Sequence, residues 1–230
     1  NVRSFTSIGD IYGGGYGDST EKLSDGTAPK FIAGRAVGST KVDIEGGIIL
    51  GSVFGGGEMA NVGYGFYNYG HETPLVIENE ENIPIRNVST YVTISGNTTI
   101  GKDGYGDAAA GNVYGGGSGF SDIVRCGLVL GNTNVTIKNT VATEASEGVA
   151  IGDILSPTIY QNVYGGGAFG SVGDFDYEVD DHLEGFVGIT KVTNVKDLNT
   201  PGTGVATVTV TGGTIGTDGM KNGMVFGSSI

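Results

Sequence analysis

The stretch Gln161-Asn162-Val163-Tyr164-Gly165-Gly166-Gly167 decides the fold, because nearly the same phrase occurs four more times. The other copies are Gly9-Asp10-Ile11-Tyr12-Gly13-Gly14-Gly15, Gly51-Ser52-Val53-Phe54-Gly55-Gly56-Gly57, Gly111-Asn112-Val113-Tyr114-Gly115-Gly116-Gly117 and, degraded, Gly223-Met224-Val225-Phe226-Gly227-Ser228-Ser229. Their aromatic residues stand 42, 60, 50 and 62 positions apart, so the phrase is nearly fixed while the spacing is not. Self-similarity of this kind marks a repeat architecture whose length differences fall between the repeats.

Working outward, a second phrase precedes the later copies: Lys41-Val42-Asp43-Ile44-Glu45-Gly46-Gly47-Ile48-Ile49-Leu50, Tyr91-Val92-Thr93-Ile94-Ser95-Gly96-Asn97-Thr98-Thr99-Ile100, Asn134-Val135-Thr136-Ile137-Lys138-Asn139 and Thr207-Val208-Thr209-Val210-Thr211-Gly212-Gly213-Thr214-Ile215. Each alternates apolar with polar residues and then turns, which is the period of a half-buried strand followed by a tight turn. The expected unit is a strand, a turn, a short strand, a variable loop and the aromatic-triglycine strand. One such unit cannot bury its own apolar face, so successive units must stack. Stacked strands lie about 4.8 Å apart, which lines up Tyr12, Phe54, Tyr114, Tyr164 and Phe226 as an aromatic ladder. The triglycines, led by Gly13, Gly55, Gly115 and Gly165, are then corners expected to need both positive φ and close backbone approach.

The composition agrees. Glycine supplies 45 of 230 residues, about three times the usual share of about 7%, and glycine in a helix interior costs about 1 kcal/mol relative to alanine. No every-third-residue period exists, which excludes collagen, and 38% hydrophobic content with 11 Tyr and 9 Phe argues against a disordered linker. The fold class expected is all-β: a right-handed parallel β-helix or related β-solenoid forming one domain over 1–230, with inserted loops at about 58–90 and 174–200. The length suits a single β domain. A net charge of −13 repels phosphate, so no nucleic-acid partner is expected. Cys126 is the only cysteine, which excludes an internal disulfide and a cysteine zinc site. The sequence opens on Asn1 with neither an initiator Met nor a signal peptide, and reads as a piece of a longer chain.

Val-Tyr-Gly-Gly-Gly combined with Val-Thr-Ile-Ser-Gly-Asn or Val-Thr-Val-Thr-Gly-Gly-Thr-Ile-Gly resembles the glycine-rich repeats of large bacterial cell-surface proteins of Bacteroidetes type. It is similar in style to pectate-lyase-like right-handed β-helices and to autotransporter adhesin passenger domains. The resemblance spans most of the chain through the five copies. It implies a secreted or surface-displayed bacterial protein, attached through flanking parts of its parent chain. It carries over no catalytic residue, since the shared motif is structural.

Motifs that carry chemistry are few. Gly96-Asn-Thr-Thr-Ile-Gly101-Lys102-Asp103 ends in Asp where a phosphate-binding loop needs Ser or Thr, and the dinucleotide pattern at 165–170 lacks a following helix. His71 and His182 are too far apart for a zincin pair, and Cys126 has no local His. Two insertions stand out instead. One carries Tyr64, Phe66, Tyr67 and Tyr69, a candidate ligand-binding loop, since exposed rings on a rigid scaffold suit glycan or protein recognition; the same rings could equally fold back as a cover. The other carries Asp174, Asp176, Glu178, Asp180, Asp181 and Glu184, whose alternation with Phe175, Tyr177 and Val179 makes a candidate Ca2+ site or, equally, a charged edge that discourages strand pairing.

The function expected is a non-catalytic extracellular structural or adhesive domain presenting loops to a glycan, a surface protein or another copy of itself. One alternative is a polysaccharide-cleaving β-helix enzyme, a lyase or glycoside hydrolase, which would need paired carboxylates or a calcium with a basic residue in a groove. Asp180-Asp181-His182 is the one local cluster that could begin such a site. The other alternative is a self-assembling fibre subunit.

Overall fold

The computed structural model describes residues 5–17, 34–63, 88–102, 110–119, 126–173, 204–218 and 220–228, and the backbone of two further strands at 175–180 and 188–195. Among them there is no helix. The strands are β1 (Thr6–Ser7), β2 (Ile11–Tyr12), β3 (Thr40–Ile44), β4 (Gly47–Ile49), β5 (Val53–Phe54), β6 (Thr90–Ile94), β7 (Thr98–Ile100), β8 (Val113–Tyr114), β9 (Thr133–Ile137), β10 (Thr140–Val141), β11 (Ile154–Leu155), β12 (Thr158–Ile159), β13 (Val163–Tyr164), β14 (Phe175–Asp180), β15 (Gly188–Val195), β16 (Ala206–Val210), β17 (Thr214–Ile215) and β18 (Val225–Phe226).

Three parallel sheets organise them. The long strands form β16-β9-β6-β3, the short strands after the turn form β1-β4-β7-β12-β17, and the aromatic strands form β18-β13-β8-β5-β2. Equivalent residues pair in register: Val42 with Val92, Val92 with Val135 and Val135 with Val208 in one sheet, and Tyr12, Phe54, Tyr114, Tyr164 and Phe226 in succession in another. The chain therefore runs once through each sheet per repeat, giving five stacked coils, of which coil one contributes β1 and β2. Two antiparallel hairpins, β10-β11 and β14-β15, stand outside this pattern.

Period two sorts the side chains. Each complete inner coil sends four apolar residues inward: Val42, Ile44, Ile49 and Val53, then Val92, Ile94, Ile100 and Val113, then Val135, Ile137, Ile159 and Val163, all in one cluster. Full burial of one such side chain contributes about 1.5–3 kcal/mol, so these layers drive the stacking. The residue after each inward Val faces the other way and joins the ring stack, with centroids 4.7, 4.7, 4.9 and 4.9 Å apart and interplanar angles of 10° or less.

The triglycines correct half of the sequence expectation. None of them has positive φ; the left-handed glycines lie elsewhere, at 46, 47, 63, 96, 101, 111, 173, 204, 213, 216 and 223 among others. Close approach alone fixes the triglycines. A Cβ on Gly55 would strike the carbonyl oxygen of Gly115 in the next coil, and one on Gly115 that of Gly165. A Cβ on Gly14, Gly56 or Gly116 would lie 2.7–2.8 Å from the next coil's backbone. Positive φ is reserved for points where the chain reverses abruptly, whereas the triglycines remain part of a ladder that hydrogen-bonds from coil to coil, as in Gly13 N–H to Phe54 O at 2.9 Å.

Two further segments differ from the sequence reading. Glu58 bridges Tyr16 and Ser118, and Val62 bridges Ala36 and Val129, so residues 58–62, assigned above to an insertion, form a return arm of the stack. Val62, Val88 and Val129, with Ala36, make a small apolar row beneath that arm. The hairpin β10-β11 interrupts coil four between its long and short strands, where the sequence suggested only a turn.

Candidate functional site

The repeat is interrupted by variable sequence at a few corners, and those corners are where specific function can reside. After the short strand, Leu50 is bonded directly to Gly51 and Tyr160 to Gln161, whereas the equivalent residues Gly101 and Gly111 are ten positions apart, and Gly216 and Gly223 are seven apart. After the return arm, Leu130 runs directly into Gly131, but Gly63 is separated from Val88, and Gly173 from Gly204. Three of these four exits pass between two left-handed glycines whose Cα atoms almost touch. The pairs are Gly101 with Gly111 (φ 83° and 85°), Gly173 with Gly204 (98° and 76°) and Gly216 with Gly223 (93° and 83°). A Cβ on the first member of each would lie 2.8, 2.8 and 2.5 Å from its partner's Cα.

The exits follow a rule. At the first corner they belong to coils three and five, at the second to coils two and four. Within the return arm itself, extra chain occurs between Tyr16 and Ala36 in coil one and between Ser118 and Val129 in coil three, while 58–62 in coil two is short. No corner carries an insertion in two successive coils. Coils are about 4.8 Å apart, and two chains side by side need about twice that, so a corner with plain neighbours has room for both ends of an insertion.

The segment carrying Tyr64, Phe66, Tyr67 and Tyr69 lies outside the described residues, as do Asp174, Asp181 and Glu184, and His71 and His182. Asp176, Glu178 and Asp180 fall at alternate positions of β14, which pairs with β15 in an irregular register: Asp176 stands opposite Asn194, Glu178 opposite Lys191 and Asp180 opposite Gly188. Among the described residues no group of three or more His, Cys, Asp or Glu is placed to hold a metal ion. Cys126 is buried.

A hollow with chemical character lies at the coil-one end. It is an open depression of about 520 Å³ between Asp10, Tyr12, Gly14, Gly15, Tyr16 and Glu58. Tyr12 donates its hydroxyl to Asp10 Oδ2 at 3.2 Å, and Asp10 Oδ1 accepts the Ser52 N–H at 2.6 Å. Burial, reinforced by the negative charges of Asp10 and Glu58, pushes the Tyr12 phenol well above its ordinary value, so it is a hydrogen-bond donor and no base at neutral pH. A ring beside two carboxylates can stack on an apolar or sugar face and accept hydroxyl protons. Sequence reading passed over this group because Asp10 and Tyr12 belong to the repeat and Glu58 comes 46 positions after Tyr12.

Two polar ladders were missed as well. Thr40 and Thr90 donate their hydroxyls to the carbonyls of Gly55 and Gly115, each at 2.5 Å, and Thr133 donates to Gly165 O; all three threonines are buried. The residue before each Val-aromatic pair offers a side-chain oxygen to the next coil: Asp10 to Ser52 N–H, Ser52 to Asn112 N–H (3.1 Å), Asn112 to Asn162 N–H and Asn162 to Met224 N–H (both 3.0 Å). The recurring Thr at the head of each long strand and the recurring Asp, Ser or Asn were the available signals. On the outer face of the long-strand sheet, Lys41 Nζ lies 2.5 Å from Asp43 Oδ2, and this hydrogen bond holds the Asp43 carboxyl below its usual range.

No family model, curated protein or solved structure matches the chain.

Proposed function

We propose that this chain is a segment of a right-handed parallel β-helix, or a closely related β-solenoid, that works outside a bacterial cell as a non-catalytic scaffold of a surface protein. Its coils form the stiff element, and its corner insertions contact a glycan, a surface protein or another copy of the chain. The observation that carries this reading is the division of labour along the chain. The residues that recur are satisfied within the stack, as apolar layers, stacked rings, threonine clasps and oxygen ladders, so they are occupied with holding coil on coil. Non-repeating chain is confined to a few corners, where a rigid base fixes the ends of each insertion.

The test is a glycan array probed with the purified domain and with the double variant Tyr64→Ala/Tyr67→Ala. The expected result is binding to a restricted set of glycans that the double variant loses while its melting temperature stays unchanged. Release of reducing or unsaturated sugar ends from bound polysaccharide, lost on replacing Asp180 or Asp181, would overturn the non-catalytic reading.

A further inference from the structure

Coil five occupies the same ladders as coils two to four but carries different residues at three positions that hold those coils together. Met224 stands where Asp10, Ser52, Asn112 and Asn162 present an oxygen to the following coil; its N–H donates to Asn162 Oδ1, and its thioether is too weak an acceptor to hold a following N–H in the same way. Ser228 stands where Gly14, Gly56, Gly116 and Gly166 stand, as the hydrogen bond from Gly166 N–H to Ser228 O shows. At the first three of those positions a Cβ would lie 2.7–2.8 Å from backbone of the following coil. Ala206 stands where Thr40, Thr90 and Thr133 brace the corner of their own coil. The approach of coil four to coil five is looser there: a Cβ on Gly165 would meet Gly227 O only at 3.0 Å, whereas one on Gly55 or Gly115 would strike the next coil's carbonyl oxygen.

We propose that coil five is a terminating coil. Its residues refuse a further coil of this type in register, whether that coil comes from the same chain or from a second molecule. A sixth coil laid on coil five would lose the oxygen-ladder bond at Met224 and would have to lift away at Ser228.

The proposal is tested by fusing, after Ser229, a copy of residues 58–63 followed by 38–57, which supplies a return arm and one insertion-free coil. The fusion is made in the natural background and in the variant Ala206→Thr/Met224→Asn/Ser228→Gly. Limited proteolysis read by mass spectrometry reports whether the added coil is protected, and calorimetry reports the melting temperature. In the natural background the added coil should be digested and the melting temperature should move by less than about 2 °C. In the triple variant the coil should be protected and the melting temperature should rise by about 5 °C or more, since about 1 kcal/mol corresponds to about 2–4 °C at this size. Protection in the natural background would overturn the proposal. So would digestion in the triple variant, because the three residues would then not be what stops the stack.

Discussion

Coil three and coil five have the same strands, the same register and the same inward Val, yet differ at the oxygen-ladder position, at the second glycine of the triplet and at the threonine clasp. Coil three reads Thr90, Asn112, Val113, Tyr114, Gly115-Gly116; coil five reads Ala206, Met224, Val225, Phe226, Gly227-Ser228. What remains in coil five is what coil four needs from it: a ring on Tyr164, apolar residues under the core, and backbone to accept hydrogen bonds. A repeat is thus a set of obligations to neighbours.

The hardest way to break that contrast is at the first glycine of the triplet. Gly115→Ala drives a methyl into the carbonyl oxygen of Gly165 and should cost about 3 kcal/mol or more, whereas Gly227→Ala should fall within about 0.5 kcal/mol of the parent in urea melts. Next, Val113→Ala empties part of a closed layer and should cost about 2–3 kcal/mol; Val225→Ala, at a half-open site, should cost less than about 1 kcal/mol. Equal losses in either pair would mean that coil five is covered in solution. A smaller effect comes from the clasp. Thr90→Val leaves a buried carbonyl without its donor and should cost about 1–3 kcal/mol, while Ala206→Thr should add about 0.5–1.5 kcal/mol by creating the bond that coil five lacks.

The mildest effect is on alkaline stability. Burial raises the phenols of Tyr114, Tyr12 and Tyr164 in the folded stack. Above about pH 10, the ordinary tyrosine value, the unfolded chain sheds protons that the folded chain retains, so stability falls as pH rises. Melting temperatures measured from pH 9 to 11.5 should decline, and Tyr114→Phe should flatten the decline more than a substitution of exposed Tyr91.

Much of this was legible because period two survives in four long strands. Lys41 to Ile44, Tyr91 to Ile94, Asn134 to Ile137 and Thr207 to Val210 alternate without interruption, and alternation has one structural meaning. The return arm was illegible for the opposite reason: Glu58-Met59-Ala60-Asn61-Val62 touches its neighbours through single bridges and shows no period. The hairpin β10-β11 has two residues per strand, too few to register as a pattern. Thr40, Thr90 and Thr133 hid in plain view, since threonine at the head of a strand is explained by propensity alone. Of the candidate site, residue types were readable, whereas the hollow of Asp10, Tyr12 and Glu58 arises only when one coil lies on the next.

The paired left-handed glycines at the exits have a practical corollary for anyone wishing to graft a foreign peptide onto this scaffold. A graft needs a corner whose neighbours above and below are unoccupied. Between the long and short strands, where β10-β11 fills coil four, the Glu45-Gly46 turn of coil two is kept clear of that hairpin by the plain turn of coil three; at the corner used by coils three and five, Ile8-Gly9 of coil one likewise faces the uninterrupted Leu50-Gly51 of coil two. Leu130-Gly131 does not, because Gly63 and Gly173 already open exits on either side of it, and a Cβ at Gly131 would collide with Val88 O. The stack therefore dictates in advance which sites can carry cargo, at a minimum pitch of two coils, about 10 Å.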